Sequence, residues 1–334
     1  MMKTPAPSRR HFVRQAGALL AAACAAPRLL LAAAPAWPPR PIRLIVVYPP
    51  GGVSDGMARA LAEPLADALG VPVRVENRAG AGGSVGMDAL ARAAPDGCTL
   101  AFSAISPLTL HPLLARVAYD PLRSFAPVAS VMRTPVLVVG TPALAGRSFD
   151  DLVATARSHP GALRWASSGV ATLGHMVLAQ VRMQGRLDIT HVPYQGGGPQ
   201  LNDALAGHFE VLSTNVAAQQ LQYIDSGRLR ALAVGAPARI EALPQVPTLA
   251  ELGFEKANRD SLFGIFAPAR TPVAVVQRLN AEINRLLLGE PLAARLREAY
   301  NIPAVGSSDD FARGIAADRR RNRELVAGDR SLFE

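Results

Sequence analysis

Cysteine, histidine and aromatic residues are scarce in this chain, and each shortage closes off a class of function. Its 334 residues hold two cysteines, six histidines and 5% aromatics. Cys24 lies in an apolar N-terminal run, so Cys98 has no partner for an intrachain disulfide once that run is removed. The remaining 334 − 36 = 298 residues bury enough apolar surface to fold without such staples. The histidines after the leader are far apart in sequence and show no ligand spacing, so no metal is expected. G-x-x-x-x-G-K-[ST], a G-x-G-x-x-G after the first strand and H-E-x-x-H are all missing. A phosphate loop, a dinucleotide cofactor and a zinc-protease helix are therefore unsupported, and no cofactor is expected.

The first 36 residues read as an export signal rather than as part of the fold. Arg9 and Arg10 in Ser-Arg-Arg-His-Phe-Val form a twin-arginine pattern, followed by an alanine-rich apolar run and an A-x-A arrangement at Ala34 and Ala36. Cleavage is expected before Trp37, giving a periplasmic protein. This segment holds one Lys, four Arg and no acid, so the formal charge falls from +9 to 9 − 5 = +4. The other basic residues are scattered, and Arg319-Arg320-Arg321 stands beside Asp318 and Glu324 as a solvated helix face. Clustered cations with stacking aromatics are missing, which argues against a nucleic-acid partner.

Beyond the leader, strand-like and helix-like segments alternate. Residues 42–48 form a β-branched apolar run, and 55–69 place Met57, Leu61, Leu65 and Leu69 on one helical face that ends at Gly70. Pro64 should kink that helix. Two strand-like runs fall within 125–140, and a clear amphipathic helix occupies 273–289. Repeated βα units imply α/β architecture with parallel sheets, and the length implies two domains.

Parallel sheets bind ligands where strands end and helices begin. Three loops stand there, at 49–56, 167–172 and 194–199. The first contains Gly52-Val53-Ser54-Asp55-Gly56, which fits the G-x-S-x-G of a serine-hydrolase elbow. An exported serine hydrolase using Ser54 is therefore the alternative reading. Against it, Ser54 follows the first strand, so no earlier loop can supply an oxyanion donor, and no histidine is singled out as base. A second copy of the pattern surrounds Ser84. The loop suits a helix-end anion site better: Gly51 and Gly52 allow close approach, Ser54 or Asp55 caps the helix, and the first amides face the ligand.

The second loop runs through Ser167 and Ser168 to the N-cap candidate Thr172, with His175 three residues on. His175 reads first as a packed residue, then as a ligand contact, then as a base. The third has Gly196, Gly197 and Gly198 before Pro199 at a first helical position. Tyr194 either closes over a ligand or edges the core. No catalytic residue is assigned. One helix end contributes about 0.3–1 kcal/mol, and each hydrogen bond to a charged group about 1.5–3 kcal/mol. Several together reach micromolar affinity without any arginine.

Read in order, "RPIRLIVVYPPGGVSDGMARALAEPLADALGVPVRVENRAGAGGSVG", "APDGCTL", "YDPLRSFAPVASV", "ASSGVATLGH", "HVPYQGGGPQLNDALAGHFEV" and "GIFAPARTP" resemble the extracytoplasmic solute receptors of tripartite tricarboxylate transporters, the Bug proteins. The resemblance implies a type II periplasmic-binding-protein-like Venus flytrap with two α/β domains and a cleft for a small carboxylated solute. Residues 37–140 with 263–334 would form domain 1, and 141–262 domain 2. It implies contacts from Pro50, Gly51, Gly52, Ser168, Thr172, Tyr194 and Gly196, with His175 as a landmark. Val53, Ser54, Asp55, Ser167 and Gly197 complete the candidate set. Implied partners are the membrane components of a tripartite transporter or a sensor protein, with the receptor itself monomeric. Departures from the family pattern fall at Cys98, His111, Val170, Ala171, Leu262 and Asn322.

Overall fold

The structure is a computed structural model that describes residues 37–328 together with Met2. The twin-arginine pattern, Cys24 and the A-x-A sequence lie outside the described residues. The chain divides into two compact units, Met1–Pro39 and Arg40–Glu334, and the sheet and its helices belong to the second.

Among the described residues ten strands form one mixed, continuous sheet: β1 (Ile42–Val46), β2 (Val73–Asn77), β3 (Thr99–Ala104), β4 (Phe125–Gly140), β5 (Arg164–Ser167), β6 (Thr190–Pro193), β7 (Val211–Asn215), β8 (Arg230–Gly235), β9 (Asp260–Pro268) and β10 (Ile302–Pro303). The order is β2-β1-β3-β9-β4-β7-β5-β6, with β8 and β10 also on β4. The helices of eight residues or more are α1 (Val53–Leu69), α2 (Ser84–Ala91), α3 (Phe149–Ser158), α4 (Leu173–Gly185), α5 (Gly197–Leu205), α6 (Ala218–Asp225), α7 (Val273–Leu288), α8 (Glu290–Glu298) and α9 (Ser308–Gly328).

Strand β4 organises the molecule. The sequence suggests two runs there, but Phe125–Gly140 is one 16-residue strand. Its first part, through Pro135, pairs antiparallel with β9, while Val136–Gly140 pair with β7 on one side and β8 on the other. It thus leaves one group of strands and enters another, making two lobes. The expectation of parallel sheets holds for β1 with β2 and β3, and for β5 with β6 and β7. Strand β9 breaks it, running antiparallel to both β3 and β4. Local patterning cannot reveal this, because a strand buried on both faces reads alike in either direction.

Alternation along β4 places the cores. Val136 and Val138 join Trp165, Val177 and Leu178 on one face, while Leu137 and Val139 join Leu212, Val216 and Val234 on the other. The other lobe packs Ile45, Met87, Ala101 and Phe266 with Phe311 of α9. A cluster of Leu110, Ala171, Met176 and Ala179, with Leu325 and Val326 against it, brings both lobes together. Helix α1 continues through Pro64 as a single helix, and Gly70 closes it at φ 70° with its N–H on the Ala66 carbonyl.

Candidate functional site

Four helix starts meet at one cavity of about 300 Å³, a size suited to a small solute. Ser54 of α1, Thr172 before α4, Gly196 and Gly197 at α5, and Ala217 and Ala218 at α6 all line it. Each follows a strand, so the sheet aims the helices' positive ends at a shared point. Three of these starts, capped by Gly52, Gly196 and Ala217, have no side chain bonded to their first amides. Only Thr172 caps in the usual way, accepting from the His175 N–H at 3.4 Å and donating to the Gly169 carbonyl at 2.7 Å. Uncapped starts that line a cavity leave N–H donors for an anion.

The first loop differs in detail from its expected build. Gly52 is the N-cap, and neither Ser54 nor Asp55 caps α1. Asp55 is the third residue of α1, three positions past the cap, and turns back, accepting from the Gly51 N–H at 3.0 Å, Asn77 Nδ2 at 2.9 Å and Arg59 Nε at 3.1 Å. Burial opposes its ionisation, but the bonds from Arg59, Gly51 and Asn77 outweigh this and hold its carboxyl below the usual range. Asp55 thus braces the loop from behind. Pro199 likewise is the third residue of α5, not the first.

Of the candidate residues, Gly51, Gly52, Val53, Ser54, Ser168, Thr172, Gly196 and Gly197 are on the cavity wall; Pro50, Asp55, Ser167, His175 and Tyr194 are not. Ser167 is fully buried, and its hydroxyl meets His191 Nε2 at 2.8 Å. His175 stacks on His191 with ring centroids 3.9 Å apart, and its Nδ1 accepts the Ala171 N–H at 3.2 Å. Burial, then His191 and Arg182, push the His175 pKa down to about 3; burial and Arg182 push His191 to about 4. Both imidazoles are neutral supports of the second loop. Tyr194 donates its hydroxyl to Asp203 at 2.6 Å and sets its ring edge-on to Phe209, which fits the core-edge reading.

The lobes touch across the cavity mouth. A methyl group built on Gly196 would lie 2.7 Å from the Pro49 ring, and one on Gly82 would lie 2.8 Å from the Val170 carbonyl oxygen.

Sequence reasoning missed several other groups on the wall, among them Ser106 and Thr109 beyond β3. Ser213, Thr214 and Asn215 end β7 and lead to α6. The strand-end rule would have found them, since β7 runs parallel to β5. Arg259, Asp260, Asp318 and Asn322 also line the cavity, and no local signal announced them.

Catalysis at Ser54 lacks a base: no histidine lines the cavity among the described residues. The imidazole bonded to a serine of a G-x-S-x-G lies elsewhere, between His111 and Ser84, a buried pair with Tyr119 that is not on the cavity wall. Among the described residues no cluster of side chains could hold a metal ion.

Residues 57–329 match the family model of the tripartite tricarboxylate transporter family receptor. The chain belongs to that family. It is 37% identical over 284 residues to protein BugT of Bordetella pertussis, covering 84% of this chain and 86% of that one. Among solved structures, R. palustris Rpa4515 with adipate is 30% identical, with a TM-score of 0.83 over 87% of this chain and 97% of that one. MatC from Rhodopseudomonas palustris with bound malate is 27% identical, with a TM-score of 0.81 over 87% and 100%. The fold of this receptor is that of the periplasmic solute-binding proteins.

Proposed function

We propose that this receptor captures a small carboxylated solute in the 300 Å³ cavity and delivers it to the membrane components of a tripartite transporter. The observation that carries the reading is the convergence of four helix starts, three without a side-chain cap, on that cavity. One carboxylate held by amides of α1, α4 and α5, with the hydroxyl of Ser168, needs no metal and no covalent step; the Thr172 hydroxyl gives its proton to the Gly169 carbonyl and holds the loop. The solved structures of Rpa4515 with adipate and MatC with bound malate support a carboxylate as ligand. One lobe is built on residues 40–135 with 263–328 and the other on 136–262, the change of partners along β4 shifting the expected boundary at 140 to 135, and β4 passes between them as a hinge. Solute shifts the balance towards the closed arrangement by binding it better. The receptor works as a monomer in the periplasm after twin-arginine export and binds without catalysis, a reading supported by the lack of any histidine on the cavity wall among the described residues. A thermal-shift panel of aliphatic and aromatic carboxylates tests this. Binding at a hundred times Kd adds about 2.7 kcal/mol to stability, an upward shift of several degrees. A broad panel that moves nothing defeats the proposal, as does ester hydrolysis that disappears in Ser54→Ala.

A further inference from the structure

Helices α4 and α5 start at the same cavity but pack on opposite faces of the sheet. Val177 and Leu178 of α4 join Trp165, Val136 and Val138, while Leu201 and Ala204 of α5 join Ala166, Leu137 and Val139. No shared apolar core ties one helix to the other. Apolar packing is also non-directional, and it fixes a helix along its axis less sharply than hydrogen bonds do. Amides that must reach one carboxylate tolerate only about 0.5 Å of misplacement, so the two starts need a common reference.

Ser213 of β7 supplies it. This residue is fully buried; its hydroxyl accepts the Trp165 indole N–H at 3.1 Å and donates to the Gly174 carbonyl, in the first turn of α4, at 2.8 Å. Its own carbonyl accepts from Gln200 Nε2, in the first turn of α5, at 3.1 Å. Helix α4 lies flush against the strand, since a methyl group built on Gly174 would sit 2.8 Å from Ser213 Oγ and 3.1 Å from the Ser213 carbonyl oxygen. One residue thus holds both helix starts, one through its side chain and the other through its main chain. Its hydroxyl is engaged as donor and as acceptor within the protein, so Ser213 acts through the helices and not by touching the solute.

Gln200 points the same way. It is fully buried, and its Oε1 meets no hydrogen-bond partner among the described residues. An unpaired buried oxygen is unfavourable, so an apolar side chain there would serve stability better. Stability alone does not account for this glutamine, whereas fastening α5 to β7 does.

We infer that Ser213 is a positioning residue for solute capture: its hydroxyl sets the start of α4 and its carbonyl, through Gln200, the start of α5, so that amides of both reach one carboxylate. The inference rests on the carboxylate reading of the helix starts.

Calorimetric titration of the purified protein with malate, adipate, glutamate and benzoate tests it. Ser213→Ala should weaken binding of the tightest of these acids about tenfold, the worth of one hydrogen bond in the placement of the helix ends. Gln200→Met removes the bond to Ser213 together with the unpaired oxygen. Affinity should then fall about 3- to 10-fold while the melting temperature holds or rises; a role in stability alone would move both in the same direction. Thr141→Val is the control. Its buried hydroxyl bonds the Phe209 carbonyl at the end of β7 away from the cavity, so its loss should lower the melting temperature and leave affinity within twofold of wild type. A folded Ser213→Ala that binds within twofold of wild type overturns the inference, as does unchanged affinity in Gln200→Met or an equal loss of affinity in Thr141→Val. If Ser213→Ala does not fold, the wild type carries the test: the Trp165 indole N–H signal in the NMR spectrum should shift when the same acid is added, and an unmoved signal overturns the inference. Acid binding that these variants leave unchanged defeats this inference alone. A wild type that binds none of the acids defeats the helix-start reading and this inference with it.

Discussion

Gly196→Ala isolates the role of lobe closure. Gly196 sits at φ +116°, where an alanine costs about 1–3 kcal/mol of backbone strain whether the lobes are apart or together. The added methyl also lies 2.7 Å from two carbons of the Pro49 ring, about 1 Å inside the optimal carbon–carbon separation. Proline cannot swing aside, so the lobes must separate, at about 1–3 kcal/mol typical of overpacking. That second cost falls only on the arrangement in which Pro49 and Gly196 meet. At 1.4 kcal/mol per factor of ten, affinity for a stabilising carboxylate should weaken roughly 5- to 150-fold. Urea unfolding without ligand should report the strain alone. Gly198→Ala is the control, since its methyl meets nothing within 4 Å and its backbone is helical. The test is calorimetric titration of both variants. If Gly196→Ala binds within twofold of wild type while showing the expected loss of stability, the Pro49–Gly196 contact is not part of the ligand-bound arrangement, and the reasoning fails.

Acid should loosen the lobe that holds His175 and His191. Their folded pKa values, about 3 and about 4, lie below the ordinary 6.5, so the unfolded chain binds their protons first. Stability is then complete above pH 6.5 and falls with pH by about 1.4 kcal/mol per unit for each histidine. Urea titrations at pH 7 and 5 should differ by several kcal/mol, and His191→Asn should show a visibly smaller difference; equal pH dependence in both proteins contradicts the account. Asp55→Asn places an amide against three donors and should cost about 1–3 kcal/mol in thermal unfolding, with solute affinity falling as the first loop loosens. An unchanged melting temperature would show that Asp55 is not the brace. Thr172→Val removes the α4 cap and should cost about 1 kcal/mol, together with a several-fold loss of carboxylate affinity. Retained affinity would remove Thr172 from the binding wall.

Local order was legible in the residues themselves. Apolar runs followed by Gly-Gly, Ser-Ser-Gly and Gly-Gly-Gly mark strand ends that feed helix starts, because close backbone approach and helix initiation are properties of a few adjacent residues. Those loops lie at the cavity wall. Partner choice was not legible. Asp55 suits a cap in sequence, yet bonds from Gly51, Asn77 and Arg59 decide what its carboxylate does. His175 and His191 are unremarkable in sequence, and burial in the fold, with Arg182 nearby, keeps both neutral.

The sequence by itself determined the βα alternation, the three glycine-bearing loops and the family, since all of these are written in short contiguous stretches. Only the tertiary structure decided that Phe125–Gly140 is one strand serving both lobes and that Arg259 meets Asp318, 59 residues further along the chain. The physical reason is the same in both cases. Strand direction and ion pairing depend on which distant segments pack together, and that is set by burial of the whole core rather than by any local pattern.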